Sequence, residues 1–126
     1  MVGLVVVSHS ATAAGGIVEV AAEMGGDTRI EAVGGDGRGG IGTVPDDIEA
    51  ALARADDGDG VVVLVDLGSA VMNADVAIET SDVEAVIADA PVLEGAVNAA
   101  VAATSPNATL DSVREEAEAA RGIDKL

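Results

Sequence analysis

The chain has 126 residues, 49% of them apolar, with 23 acidic and 6 basic side chains and a formal net charge of −17. This composition supports one domain with a buried core over residues 1–126, and the absence of cysteine excludes disulfides, thiolate metal sites and thiol catalysis. So few basic residues form no patch that neutralises phosphates, and we therefore expect no nucleic-acid partner.

The first elements are a buried strand and an amphipathic helix. Val2 to Val7 is a short apolar run rich in β-branched residues, which predicts the strand. The run is too short to span a membrane and lacks the basic flank of a signal peptide, so we expect a cytoplasmic protein without membrane contact. Thr12 to Met24 predicts a helix. Its expected inward face carries Ile17, Val20, Ala21 and Met24.

A weaker strand, Arg29 to Val33, precedes the glycine-rich loop Gly34 to Thr43. The second helix opens at Pro45, a favoured first-turn residue. Its apolar stripe consists of Ile48, Ala51, Leu52 and Ala55. Val61 to Val65 is the clearest buried strand, and it runs into the segment Asp66-Leu67-Gly68-Ser69. The remaining predicted elements are a helix from Ser69 to Thr80, a strand from Glu84 to Ala88, and helices from Pro91 to Thr104 and Thr109 to Arg121.

Alternating strands and helices predict an α/β fold, an open and mainly parallel four-stranded sheet with helices on both faces. Ligands bind such sheets beyond the carboxyl ends of the strands, where the strand order switches. Three unusual segments fall at those ends: Ser8-His9-Ser10, the glycine-rich loop and Asp66-Leu67-Gly68-Ser69. If the first strand lies beside the third, His9 and Asp66 meet.

His9 is the only histidine in a chain without Cys or Tyr and with one Lys, next to the C-terminus. It is therefore the obvious nucleophile near neutral pH. A neutral imidazole can attack phosphorus, while a carboxylate such as Asp66 fixes its tautomer on the other nitrogen. Donors to a phosphoryl group are expected from Gly40, Gly42, the Thr43 hydroxyl and the start of a helix at Ser69. No metal site is expected.

Structural explanations of the same residues also remain open. A lone histidine is often a surface or capping residue, and Asp66 after a strand can be a turn residue. The glycine-rich loop can be a flexible surface loop; it is no dinucleotide fingerprint, because it follows the second strand. The scattered acids, with five Arg and one Lys, suit a halophilic and specifically haloarchaeal host, where salt screens their repulsion.

Four ordered motifs carry a family resemblance. They are Val5-Val6-Val7-Ser8-His9-Ser10, Ile41-Gly42-Thr43, Asp66-Leu67-Gly68-Ser69-Ala70 and Ala90-Pro91-Val92-Leu93-Glu94-Gly95-Ala96. The chain resembles the phosphotransferase subunits of dihydroxyacetone kinases that use phosphoenolpyruvate through the sugar phosphotransferase system (PTS). The nearest relatives of these subunits are enzyme IIA domains of the mannose type.

The resemblance implies a homodimeric phosphocarrier, part of a phosphoenolpyruvate–glycerone phosphotransferase. The histidine phosphocarrier protein would phosphorylate His9, which would pass the group to ADP on the nucleotide-binding kinase subunit. No cofactor of its own is implied, since ADP and ATP reside on that partner. Asp66 matches the aspartate that partners the active histidine, and Gly42, Thr43 and Ser69 match motif positions near the site.

Three other functions are weighed against this one. An enzyme IIA component of a mannose-type sugar permease is the nearest, although Asp66-Leu67-Gly68-Ser69-Ala70 is more similar to the dihydroxyacetone type. A receiver domain phosphorylated on Asp66 would need further acids after the first strand to bind magnesium, where this chain has Ser8-His9-Ser10. A non-catalytic acidic signalling or binding module would not need His9.

Overall fold

The computed structural model describes the whole chain, Met1 to Leu126. The strands are β1 (Gly3–Ser8), β2 (Ile30–Gly34), β3 (Val61–Val65) and β4 (Ala85–Ile87). The helices are α1 (Ala11–Ala22), α2 (Pro45–Ala55), α3 (Gly68–Thr80), α4 (Val92–Ala103) and α5 (Leu110–Ala119), followed by a 3₁₀ turn (Ala120–Gly122). The predicted elements are all present, with ends displaced by a residue or two.

The four strands form one parallel sheet in the order β2-β1-β3-β4. Helices cover both faces, which confirms the predicted α/β class. β1 is central, because the chain moves from it to β2 on one side and then crosses to β3 on the other. Val7 pairs with Val65 at the carboxyl ends of β1 and β3. The residues that follow these two strands therefore lie side by side at the switch in strand order.

Alternate residues of the central strands enter two separate cores. Leu4 and Val6 pack with α1, α4 and α5 on one face, while Val5 and Val7 pack with α2 and α3 on the other. Alanines supply most of the helical contribution, so the helices approach the sheet closely. No helix is long and apolar enough to cross a membrane.

The predicted inward face of α1 is wrong in part. Val20 is 46% exposed and Met24 is 53% exposed. The helix instead turns Ala14, Ile17, Val18 and Ala21 toward the sheet and α4. The predicted set and the buried set each have the i, i+3, i+4, i+7 spacing of one apolar helix face. Because α1 has valines on two sides, periodicity alone did not decide which stripe is buried.

Candidate active site

His9 and Asp66 are brought together by the strand order. His9 follows β1 and Asp66 follows β3, and these strands are neighbours. The His9 Nδ1 atom lies 3.0 Å from Asp66 Oδ1, and each side chain is 21% exposed. The pair is thus shielded by protein but open on one side, which suits a group that must meet another reactant.

Asp66 accepts four hydrogen bonds, two on each carboxylate oxygen. Oδ2 accepts from Ser8 Oγ at 2.9 Å and from the His9 backbone N–H at 3.0 Å. Oδ1 accepts from His9 Nδ1 at 3.0 Å and from the Leu67 backbone N–H at 2.8 Å. Burial acts to raise the pKa of Asp66, but the hydrogen bonds from His9 and Ser8 and the charge of a protonated His9 outweigh it, so this pKa lies below its ordinary value of 3.8.

This arrangement selects one tautomer of the imidazole. An ionised carboxylate only accepts hydrogen bonds, so Nδ1 carries the proton that points at Asp66. Nε2 then keeps its lone pair, which faces the Ser69 hydroxyl at 2.9 Å. Ser69 Oγ donates to Nε2 in this state. Nε2 is therefore the ring nitrogen that could act as a nucleophile.

Two free backbone donors lie at the beginning of α3, beside Ser69. No side chain caps this helix. The Leu67 N–H is bound to Asp66, and the Ala70 N–H is bound to the Leu67 carbonyl oxygen. The N–H groups of Gly68 and Ser69 have no partner. Free N–H groups and the positive end of the helix dipole together favour an anion next to His9 Nε2.

The glycine-rich loop is ordered by Asp36, and the N–H groups of Gly40 and Gly42 are occupied. Asp36 Oδ1 accepts from the N–H groups of Arg38, at 2.8 Å, and Gly40, at 2.9 Å, and these bonds lower the pKa of Asp36. The Gly42 N–H donates to the His9 carbonyl oxygen at 2.9 Å. The N–H groups of Gly40 and Gly42 are therefore not free in this structure, and the phosphate-binding role of the loop glycines stays a prediction. Gly42 supports the site by holding the loop against the His9 backbone.

Thr43 is tied to α3 instead of contacting His9. The Asn73 amide donates to Thr43 Oγ1 at 2.7 Å and to the Thr43 carbonyl oxygen at 3.2 Å. Because the Thr43 oxygen accepts from Asn73, its own proton is left to donate elsewhere. Asn73 and Ser69 are four residues apart and share one face of α3.

The sequence reasoning missed the roles of Ser8 and Asn73. Ser8 belongs to the first of the four motifs, but the motif predicts no function for it. Its position in a buried strand immediately before His9 was the available signal. Asn73 was detectable only as a polar residue one helical turn after Ser69.

Exposed apolar side chains lie on the segments that carry the site. Ile41, which precedes Gly42, is 73% exposed, and Leu67, which follows Asp66, is 57% exposed. Met72, one turn after Ser69, is 74% exposed. The structure contains no group of three or more His, Asp or Glu side chains that could hold a metal ion. The site thus consists of one oriented imidazole, anion donors and an open apolar border.

Fold and site together define a parallel α/β domain with a single nucleophilic imidazole at the strand switch. The family model described as the PTS system fructose IIA component, EIIA-man, matches residues 3–114. The chain belongs to this family, whose name agrees with the mannose-type resemblance of the sequence motifs.

Curated relatives of similar length are subunits of one kind of kinase. The chain is 35% identical to the phosphotransferase subunit DhaM of a PTS-dependent dihydroxyacetone kinase from Lactococcus lactis, over 92% of this chain and 93% of that protein. It is 39% identical to the phosphoryl donor subunit DhaM of PEP-dependent dihydroxyacetone kinase 2 from Listeria innocua, over 80% and 85% of the two chains.

Longer relatives and a solved structure extend the comparison. The chain is 34% identical to the phosphoryl donor subunit DhaM of a PEP-dependent dihydroxyacetone kinase from Providencia stuartii, over 95% of this chain but 27% of that protein. A crystal structure described as that of a protein of unknown function is 30% identical, with a TM-score of 0.80 over 94% of both chains.

Proposed function

We propose that this protein is the phosphocarrier subunit of a PTS-dependent dihydroxyacetone kinase and holds the phosphoryl group on Nε2 of His9. The observation that carries the proposal is the Asp66 contact at Nδ1, which leaves Nε2 as a lone-pair donor beside free helix N–H groups. The names of relatives at 34–39% identity support the choice of kinase.

In each of the two transfers one bond to phosphorus breaks as another forms: the first replaces the donor's P–N bond by P–Nε2, and the second replaces P–Nε2 by a P–O bond. Nε2 attacks the phosphorus carried by the histidine phosphocarrier protein, and the donor's P–N bond breaks in line, returning the electron pair to the donor imidazole. Asp66 stabilises the positive charge that develops on the His9 ring. The Ser69 hydroxyl turns from Nε2 and donates to a phosphoryl oxygen. The phosphoryl oxygens also accept hydrogen bonds from the free N–H groups of Gly68 and Ser69.

In the second transfer a β-phosphate oxygen of ADP attacks the phosphorus on Nε2. The P–Nε2 bond breaks, its electron pair returns to the ring, and ATP forms on the nucleotide-binding kinase subunit. This ATP then phosphorylates dihydroxyacetone on a third subunit. The phosphocarrier needs no cofactor of its own in this scheme, because the nucleotide remains on the partner.

The setting that goes with this function is a homodimer in the cytoplasm of a halophilic cell. Carboxylates keep surface hydration at high ionic strength, and salt screens repulsion within the chain and between acidic partners. Light scattering in concentrated KCl tests the dimer. Unfolding at low and high KCl tests the adaptation, with greater stability expected in high salt and equal stability contradicting it.

The decisive test reconstitutes the transfer. The protein is incubated with phosphoenolpyruvate and the two general phosphotransferase proteins, and mass spectrometry locates the added phosphate. We expect one phosphate on His9, labile to acid and stable to base, and none on His9→Ala with the fold retained. A product labile to base and hydroxylamine would indicate an acyl phosphate on an aspartate and would overturn the proposal.

The acceptor is tested with the phosphorylated protein. Mixing it with the ADP-loaded kinase subunit should produce ATP at the rate at which phosphate leaves His9. Transfer to a mannose-type permease domain, with no ATP formed, would instead assign a sugar-permease IIA component. The matching family model is described as a fructose IIA component, so both acceptors, the kinase subunit and a permease domain, should be tested side by side.

A further inference from the structure

Ser8 is the one polar side chain among the fully buried residues, at 2% exposure. It occupies the last position of β1, directly before His9. Burying a hydroxyl is costly unless its hydrogen bonds are made inside the protein. The partners of Ser8 therefore decide what this residue contributes.

Both partners of Ser8 belong to the site or its border. The Ser8 Oγ atom accepts from the Ser10 backbone N–H at 3.1 Å and donates to Asp66 Oδ2 at 2.9 Å. The direction of the hydroxyl proton is fixed, because the Ser10 N–H can only donate and an ionised carboxylate can only accept. The single hydroxyl proton of Ser8 is thus donated to Asp66.

This bond holds the Asp66 carboxylate at a set rotation about its Cβ–Cγ bond. Oδ2 is held by Ser8 and by the His9 backbone N–H, on the side of the carboxylate away from the imidazole ring. Oδ1 is thereby directed at His9 Nδ1. Without the hydroxyl, Oδ2 keeps only the His9 backbone N–H, so the carboxylate is held less tightly in the rotation that directs Oδ1 at the ring, where the Leu67 N–H still binds it.

We propose that Ser8 is a positioning residue that keeps the proton of the neutral His9 ring on Nδ1 and its lone pair on Nε2, acting through Asp66. This role rests on the proposed phosphocarrier function of His9 for its consequence in catalysis. Ser8 touches neither the phosphoryl group nor the ring, and its effect is carried entirely by the orientation of the carboxylate.

Ser10 provides a matched control on the other side of His9. Its hydroxyl accepts from the Ala13 N–H at 3.1 Å and caps α1. Ser10→Ala removes an exposed hydroxyl from the same turn but leaves the backbone N–H that binds Ser8. Ser10→Ala should lower thermal stability without touching the bond between Ser8 and Asp66.

The experiment measures the tautomer directly by ¹⁵N NMR of the ring nitrogens at alkaline pH, where the imidazole is neutral. The chain has one histidine, so a single set of ring signals is observed. Wild type and Ser10→Ala should show Nδ1 protonated and Nε2 unprotonated. Ser8→Ala should move toward the mixture of tautomers of a free imidazole, and Ser8→Thr, which keeps a hydroxyl, should restore the wild-type signals.

Phosphorylation kinetics give the second readout. Loss of the outer partner of a metal-bound histidine typically costs about 10- to 100-fold in affinity or activity, and by analogy we expect Ser8→Ala to take up phosphate about tenfold more slowly. A wild-type tautomer in folded Ser8→Ala, or an equal shift in Ser10→Ala, would overturn the inference while leaving phosphorylation of His9 intact. Failure of wild type to be phosphorylated would overturn the proposed function instead, because the tautomer is read on the unphosphorylated protein.

Discussion

Asp66→Asn changes the charge of the site with almost no change in shape. Asparagine has one oxygen and one NH₂ group where the carboxylate has two acceptors. If its oxygen faces His9 Nδ1, the NH₂ group meets the His9 backbone N–H. If it is turned over, the NH₂ group faces Nδ1 and favours the tautomer with the proton on Nε2. Neither orientation reproduces the four bonds that Asp66 accepts.

The size of the effect follows from the distance between the charges. Unit charges 3.0 Å apart attract by about 5.5 kcal/mol at an effective dielectric constant of about 20. Since both side chains are 21% exposed, solvent reduces this to roughly 3 kcal/mol. At about 1.4 kcal/mol per tenfold change in rate, Asp66→Asn should slow phosphoryl uptake by about 100-fold.

The assay is the rate of phosphate incorporation from phosphoenolpyruvate, followed in a rapid-quench instrument at saturating donor. Asp75→Asn is the control, because Asp75 is an exposed acid on α3 and the substitution makes the same change in net charge. A loss below about threefold in Asp66→Asn, or an equal loss in Asp75→Asn, would refute the role given to the carboxylate.

Four further predictions concern the site and the elements that carry it. Ser69→Ala removes a donor to the transferred group, so uptake should fall by about 10- to 100-fold with little change in urea stability, measured in the same quench assay. Gly34→Ala places a Cβ 2.4 Å from the Ser8 carbonyl oxygen, which should cost about 1–3 kcal/mol of unfolding free energy in urea. Gly16→Ala in open helical space should instead stabilise by about 0.5–1 kcal/mol. The pKa of Asp66 is lowered in the folded state, so its stabilisation is present above the ordinary value of 3.8 and is lost as the pH falls through the lower folded-state pKa. The difference in unfolding free energy between wild type and Asp66→Asn should therefore shrink as the pH falls below 3.8 in urea titrations.

Local sequence patterns determined much of the fold. Val61 to Val65 was predicted with its correct ends, because a β-branched apolar run lies between an acidic glycine turn and Asp66. The stripe of α2 was also correct, since its opposite face is charged. In α1 the contrast is weak, and only the packed sheet and α4 decide that Val20 remains exposed.

The His9–Asp66 contact was accessible from sequence because it needs only the order of two strands. Which N–H groups of the glycine-rich loop are free could not be predicted from the sequence in this way. Whether the Gly42 N–H is free depends on its bond to the His9 carbonyl oxygen, 33 residues earlier in the chain. The bond from Ser8 to Asp66 likewise depends on the register between β1 and β3, which no local pattern specifies.

The four hydrogen bonds at Asp66 also determine where the proton of the imidazole ring stays during transfer. Three hydrogen bonds besides the one from Nδ1 stabilise the ionised carboxylate, and the pKa of Asp66 lies below its ordinary value of 3.8, so the proton shared with the ring stays on Nδ1. Under the proposed function, phosphate would arrive at and leave Nε2 while the ring keeps the same proton on its other side. Above the pKa of Asp66, each turnover of the proposed phosphocarrier would then exchange no proton through the carboxylate, so the protein would carry phosphoryl groups without also carrying acid between its partners.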